Sequence, residues 1–287
     1  MSKNKIAFLM PVYPPHYKYM KNFMKGFYKY SIDKQADLWF VFSNEEDKSH
    51  FPKIKNYVIL PKHLQNLRRE NGIINTKKFF GINAIKNNYE YIIVVDAEME
   101  IFKNINLYSI CKKFFQDKIL WGTPIVYEER NKSYSAIKVA CSVFFKDIEI
   151  NEHDLCFWFY NLCVYDTKTL DDFFEKTNIL RELNNLSFWS FDYYIYMFYL
   201  LYYQSFTPHN IYSNAFIEMK IPLLNSYYIE NCMHMCTREM LVQLNKLYKC
   251  KNCFLHIHLD RVIKKENTLF KKIVTALNVF SFLRKDR

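Results

Sequence analysis

The sequence contains very little glycine. Only four of its 287 residues are glycine, namely Gly26, Gly72, Gly81 and Gly122. With so few, neither a GxGxxG fingerprint nor a GK[ST] phosphate loop can be written anywhere in the chain, which excludes the Rossmann dinucleotide fingerprint and the P-loop. A nucleotide that binds here must therefore be held in another way.

Three other features are missing. The start, MSKNKIAFLM, has an apolar run too short for a secretory signal, so we expect a reducing cytoplasmic location, with cysteines present as thiols. The most apolar long segment, residues 186–206, is interrupted by Asp192 and rich in tyrosine, which favours a buried helix over a membrane span. Internal repeats and low-complexity linkers are also lacking, so one continuous domain is the default expectation.

The positive charge is unevenly distributed. The formal net charge is +11, and the segment 261–287 alone holds eight Lys/Arg against two Asp/Glu. This weakens a nucleic-acid interpretation and predicts a main domain at 1–260 followed by a basic tail at 261–287. Residues 268–283 form an amphipathic pattern typical of a helix on an anionic membrane surface, although a helix packed on the domain fits the same pattern. We expect a peripheral location at the inner face of the cytoplasmic membrane.

The hydrophobic pattern predicts an α/β fold. Apolar runs alternate with segments of helical spacing, and the strands are apolar throughout, which indicates a mostly parallel sheet covered by helices on both faces. The predicted strands are residues 5–10, 37–43, 57–60, 91–102, 119–126, 157–165 and 254–259. The predicted helices are residues 17–30, 75–86, 107–115, 167–176 (with Thr167 as a possible cap), 184–203, 238–247 and 268–283.

Three carboxylates follow the apolar run YIIVV at alternate positions: Asp96, Glu98 and Glu100. On one strand they would share a face, where like charges raise each other's pKa and are costly to desolvate. A divalent cation removes this problem, because Mg²⁺ and Mn²⁺ bind through one or two carboxylates together with substrate phosphates. Ligands of parallel α/β sheets also bind beyond the carboxyl ends of strands. An ordinary acidic loop is the alternative; Asp96 and Glu98 carry the metal hypothesis, whereas Glu100 has at most an orienting role.

The segment YIIVVDAEME resembles the DXD-type motif of nucleotide-sugar-dependent glycosyltransferases of the GT-A fold, with Glu98 in place of the second Asp. The order of elements is similar over residues 5–260. The resemblance implies a GT-A-like sheet, a divalent metal on Asp96 and Glu98, and a donor that is a nucleotide diphosphate sugar, UDP-linked by expectation. It also implies a surface glycan such as lipooligosaccharide or capsule as the acceptor.

The same resemblance suggests roles for other residues. The strand end Pro11, Val12 and Tyr13 is similar to the place where such enzymes receive the nucleobase, with Tyr13 able to stack on it. In some of these enzymes a histidine on a late strand completes the metal shell. FLHIHL offers two histidines on one face, His256 and His258, of which we assign His258 while the sequence does not separate them.

Cations and one further acid complete the predicted site. Lys77 and Lys78 open the helix before the motif, where either could bind ribose or phosphate, and we favour Lys77; Lys264 is a candidate for binding the diphosphate. Asp192 is a candidate general base that takes the proton of the acceptor hydroxyl. The structural alternative for Lys77 and Lys78 is a solvated surface pair, and for Asp192 it is a carboxylate that favours the start of a helix.

Four of the eight cysteines, Cys232, Cys236, Cys250 and Cys253, have a spacing that suits a structural zinc, but free core cysteines are the favoured interpretation. They support the main alternative function, a zinc-ribbon nucleic-acid-binding protein. A metal-dependent phosphohydrolase that uses the same carboxylates is a second alternative. The interpretation we favour is a metal-dependent glycosyltransferase without a nucleic-acid partner.

Overall fold

A computed structural model describes residues 4–68, 70–97, 99–101, 104, 106–124, 128–145, 155–156, 163–210, 226–228 and 256–258. The strands are β1 (Ile6–Pro11), β2 (Ala36–Phe42), β3 (Tyr57–Ile59), β4 (Tyr91–Val94), β5 (Met99–Ile101), β6 (Ile119–Pro124), β7 (Leu155–Cys156), β8 (Val164–Asp166), β9 (Thr207–Asn210), β10 (Ser226–Tyr228) and β11 (His256–His258). The α-helices are α1 (Tyr17–Lys29), α2 (Glu45–Ser49), α3 (Ile73–Ile85), α4 (Leu107–Asp117), α5 (Glu128–Ser142), α6 (Leu170–Thr177) and α7 (Asp192–Tyr203). Short 3-10 helices span Pro14–His16, Ile32–Lys34, Lys62–Leu64, Lys86–Asn88, Thr167–Thr169 and Ile179–Arg181.

The central sheet has five strands in the order β3-β2-β1-β4-β8. The first four strands are parallel, with Leu9 of β1 opposite Trp39 of β2 and Val94 of β4, and β8 is antiparallel to β4. Every residue of β1 is buried, as expected for a strand covered on both faces. The predicted α/β class with a mostly parallel, mixed sheet flanked by helices is therefore confirmed.

Helices α1 and α3 cover opposite faces of this sheet. Phe8 packs on α1, with ring centroids 6.1 Å from Phe23 and 5.7 Å from Phe27. The next residue, Leu9, points the other way and lies against α3 at Gly81. A Cβ at Gly81 would lie 2.6 Å from Cγ2 of Val41, so only glycine lets α3 approach the sheet this closely.

The segment 91–102 is not the single strand that was predicted. β4 ends at Val94, and the backbone then turns, with the amide of Met99 donating to the carbonyl of Asp96 at 3.1 Å. After the turn, β5 leaves the central sheet and pairs with β11 in a separate three-stranded sheet. The assumption that the three carboxylates project from one face of one strand was wrong, because Asp96 lies in the turn between two strands.

The predicted helix 184–203 begins later, at Asp192. The preceding segment, residues 183–191, is held instead by side chains of α3. Thr76 donates its hydroxyl to the carbonyl of Leu183 at 2.9 Å, and the Asn75 amide donates to the carbonyl of Ser187 at 3.1 Å. These bonds fix the segment in a non-helical path. The predicted cap also differs, since Asp166 rather than Thr167 accepts the amide bond at the start of the 3-10 helix before α6.

Several predictions lie outside the described residues. These are the helices 238–247 and 268–283, the strand segment 157–162 and the four clustered cysteines. The division into 1–260 and 261–287 accordingly stays a prediction, as does the membrane-surface tail. Among the residues that the structure does describe, no helix combines the length and apolarity needed to cross a membrane.

Candidate functional site

The candidate site lies at the edge of the sheet where β1 and β4 have their carboxyl ends. Because β8 is antiparallel, its amino end reaches the same edge, and the amide of Val94 donates to the carbonyl of Cys163 at 2.9 Å. Asp96 follows β4 directly at this edge. This is the position at which open α/β sheets bind ligands.

A buried lysine connects Asp96 to Asp192. The Nζ atom of Lys78, on α3, lies 3.1 Å from Oδ1 of Asp96 and 3.0 Å from Oδ1 of Asp192. Both oxygens contact the same nitrogen, so they lie no further apart than the sum of these distances, about 6 Å. The structure therefore brings together two acids that are far apart in the sequence, and both are predicted site residues.

Asp192 is completely buried at the first position of α7. Its Oδ2 atom accepts a hydrogen bond from the hydroxyl of Tyr165, on β8, at 2.7 Å. Burial and the charge of Asp192 raise the pKa of Tyr165 well above its usual value, so the phenol keeps its proton and remains a donor. Each carboxylate oxygen of Asp192 thus has a neighbour, Lys78 for one and Tyr165 for the other.

The electrostatics keep Lys78 charged. Burial lowers the pKa of the Lys78 ammonium, but the negative charges of Asp192 and Asp96 act in the opposite direction and together raise the pKa above its usual value. One ammonium faces two carboxylates, so the three groups have a formal charge of −1. The Asp96 side chain is 19% exposed, against 1% for Asp192, so the residual negative charge is accessible mainly at Asp96.

Lys77 is not a solvated surface lysine, which was the structural alternative to its role in binding ribose or phosphate. It is 1% exposed, and its ammonium donates to the carbonyl of Val12 at the end of β1. Burial lowers the pKa of Lys77 to about 8. In this structure Lys77 is hydrogen-bonded to the backbone that follows β1. Its role as a ligand to ribose or phosphate stays a prediction.

The strand end predicted to receive a nucleobase exposes one side chain. Pro11 and Val12 are buried, whereas Tyr13 is partly exposed and packs edge-on against His16, with ring centroids 5.2 Å apart. The amide of Val12 donates to the carbonyl of Val41 at 2.9 Å, which fixes this corner to β2. The stacking role of Tyr13 stays a prediction.

The predicted metal ligands are described only in part. Glu98 and Lys264 lie outside the described residues, and for His258 the structure gives the backbone alone. In the antiparallel pairing of β11 with β5, the backbone of His258 lies opposite Met99, which is the residue that follows Glu98 in the sequence. Within the described residues no group of three potential metal ligands occurs. Asp96, a partly exposed carboxylate, fits a cation that takes its other ligands from a substrate.

Sequence reasoning missed Tyr165, and it ranked Lys78 behind Lys77. A signal for Lys78 was available, because Lys78, Ile82 and Ile85 share the i, i+4, i+7 spacing of one helical face. A lysine on an apolar stripe predicts a buried ionic partner, and here it has two. For Tyr165, an aromatic residue in an apolar strand, we find no comparable signal.

Comparisons with known proteins complete the description. No protein-family model matches the sequence, and no curated protein matches it. Solved structures that match include a glycosyltransferase involved in the glycosylation of the major capsid of PBCV-1, with 8% identity, a TM-score of 0.41, and coverage of 95% of this chain and 98% of the other. The core-mannan synthase A of Aspergillus fumigatus, in its Mn/GDP form, has 16% identity and a TM-score of 0.36 over 64% of each chain. TarS of S. aureus has 11% identity and a TM-score of 0.34 over 63% of this chain and 33% of its own length. The TM-scores are low, so the function is inferred from the residues of the site.

Proposed function

We propose that this chain is a metal-dependent glycosyltransferase that moves a sugar from a nucleotide diphosphate donor, UDP-linked, to a hydroxyl of a surface glycan such as lipooligosaccharide or capsule. The observation that carries the proposal is the place of Asp96, a partly exposed carboxylate at the carboxyl edge of a parallel sheet, beside the buried pair Lys78–Asp192. This arrangement leaves negative charge where a cation and a diphosphate can meet.

The proposed roles follow from this arrangement. Asp96, Glu98 and His258 would hold Mn²⁺ or Mg²⁺, which, when bound, neutralises charge that develops on the leaving diphosphate. Tyr13 would stack on the base, and Lys264 would contact the diphosphate. These roles rest on the resemblance of the motif and on the position of Asp96 and Tyr13 at one edge of the sheet.

The contacts of Asp192 limit its possible role as a base. Its two oxygens are occupied by Lys78 and Tyr165, and the residue is fully buried. In this conformation Asp192 orients Lys78, and it becomes a general base only if the acceptor hydroxyl displaces one of the two contacts. The membrane-surface attachment of residues 268–283 is a further part of the proposal, supported by their amphipathic basic pattern.

A thermal-shift experiment tests the proposal. UDP, GDP and CMP are each added with and without Mn²⁺, and we expect stabilisation by one nucleotide, UDP, only when Mn²⁺ is present. The Asp96→Ala variant should lose this response. Asp33→Ala is the matched control, because Asp33 is an exposed carboxylate that precedes the amino end of β2, at the opposite edge of the sheet.

Two results would contradict the proposal. An absence of response to every nucleotide removes the transferase function. Release of UMP and sugar 1-phosphate from the donor without an acceptor, at a rate comparable to transfer, shows cleavage of the diphosphate and indicates a phosphohydrolase that uses the same carboxylates.

A further inference from the structure

Lys78 joins two parts of the site that come from different parts of the chain. Asp96 belongs to the turn after β4, and Asp192 to the start of α7. The Lys78 side chain is 8% exposed, and its nitrogen lies at almost equal distances, 3.1 and 3.0 Å, from one oxygen of each acid. A single ammonium therefore divides its interaction between two carboxylates.

The two contacts of Lys78 differ in burial. On the Asp192 side, α3 is joined to the segment 183–191 by hydrogen bonds from Thr76 and Asn75, and Tyr165 fixes the second oxygen of Asp192. On the other side, Asp96 lies in a turn and is partly exposed. Lys78 and Asp192 thus form a buried pair, and Asp96 is the partner of Lys78 that another cation can reach.

We propose that Lys78 is a positioning residue that sets how strongly Asp96 binds a divalent cation, and that Asp192 controls this strength through Lys78 without contacting the cation. The inference rests on the proposed function, in which Asp96 is a metal ligand. Asp192 holds part of the Lys78 charge, so less of that charge acts on Asp96. A neutral residue at position 192 commits Lys78 to Asp96 and so weakens cation binding.

Two variants separate this coupling from a general charge effect. Asp192→Asn keeps the shape and an oxygen that can accept the Tyr165 hydrogen bond, but removes the charge that shares Lys78. The double variant Lys78→Met with Asp192→Asn removes one positive and one negative charge, so the formal charge of the three groups stays at −1, as in the wild type. A difference in cation affinity between the double variant and the wild type then reports the Lys78–Asp96 contact itself.

The measurement is a titration of the full chain with Mn²⁺ alone, followed by electron paramagnetic resonance of the free ion. We expect Asp192→Asn to bind Mn²⁺ about tenfold more weakly than the wild type, and the double variant to bind it about tenfold more tightly, which is the scale of one close ion pair in a partly screened site. Thermal unfolding of each variant checks that it is folded. If this double variant does not fold, Lys78→Gln with Asp192→Asn replaces it, because it has the same formal charge of −1 and keeps polar groups at both buried positions.

The outcomes distinguish this inference from the proposed function. Equal Mn²⁺ affinity in the wild type and in either folded variant, or weaker binding in the double variant, overturns the role of Lys78 while Asp96 remains a metal ligand. No Mn²⁺ binding by the wild type, with or without UDP, or unchanged binding in Asp96→Asn, removes the cation site itself, and both proposals fail.

Discussion

The buried Lys77 makes a specific prediction about the pH dependence of stability. Its pKa in the folded chain is lowered from 10.5 to about 8 by burial, so the unfolded chain binds the proton more tightly than the folded chain does. Between these two values folding releases this proton, and the free energy of unfolding must rise with pH. Below the folded pKa the penalty for burying the charge is fully present.

The size of the effect follows from the shift. Each pKa unit corresponds to about 1.4 kcal/mol, so the complete penalty is about 3 kcal/mol. Between about pH 7.5 and 9.5 the wild type should gain about 2 kcal/mol of unfolding free energy relative to Lys77→Met, which has no ionisable group there. The difference in unfolding free energy between the wild type and Lys77→Met is the quantity to compare, because tyrosines and cysteines also titrate at alkaline pH and contribute to both proteins.

Urea denaturation at a series of pH values, followed by tryptophan fluorescence, measures this difference. Lys25→Met is the matched control, because Lys25 is an exposed lysine on α1, and its difference from the wild type should not change over the same interval. Parallel curves for the wild type and Lys77→Met would show that the ammonium is not buried at a cost. The assignment of Lys77 to the support of Val12 would then be wrong.

Two further predictions concern the contacts around α3. Lys78→Met leaves the buried Asp192 without its cation and should lower the free energy of unfolding by about 3–5 kcal/mol, whereas the added substitution Asp192→Asn should recover most of this loss. Equal urea midpoints for the single and double variants would refute this. Gly72→Ala should lower the free energy of unfolding by about 2–3 kcal/mol, because φ at position 72 is +66° and the new Cβ would lie 2.5 Å from a carbonyl oxygen of the segment 183–191. Hydrogen exchange should accelerate in that segment, with Asn71→Ala as the neighbouring control; unchanged exchange would contradict the prediction.

The central sheet could be predicted because its signal is local. A strand covered on both faces needs an unbroken apolar run, and β1, β2 and β4 each have one between polar or turn-forming residues. The edge at which Asp96 lies follows from the same pattern, since the carboxyl ends of parallel strands share one edge. The place of Asp96 could thus be predicted from sequence, whereas its contacts could not.

The remaining differences come from interactions between distant parts of the chain. The turn at Asp96 exists because β5 pairs with β11, which lies far along the sequence. α7 starts late because the preceding segment is hydrogen-bonded to α3. Lys77 and Lys78 are separated by a rotation of about 100° around α3, so only one of them can face the two acids. Which one does so depends on how α3 is rotated against the sheet, and this is set by tertiary packing.

The close contact at Gly81 has a consequence for how this site can change in evolution. Lys77 and Lys78 precede Gly81 by four and three residues, so all three lie on neighbouring positions of the helix surface. A larger residue at position 81 would press on Val41 and lift this part of the helix from the sheet. Both ammonium groups would then move away from their partners, that of Lys77 from the Val12 carbonyl and that of Lys78 from the two acids. Position 81 therefore sets how close the two lysine side chains lie to the sheet. A mutation at this position can change the site while every residue that faces a ligand stays the same.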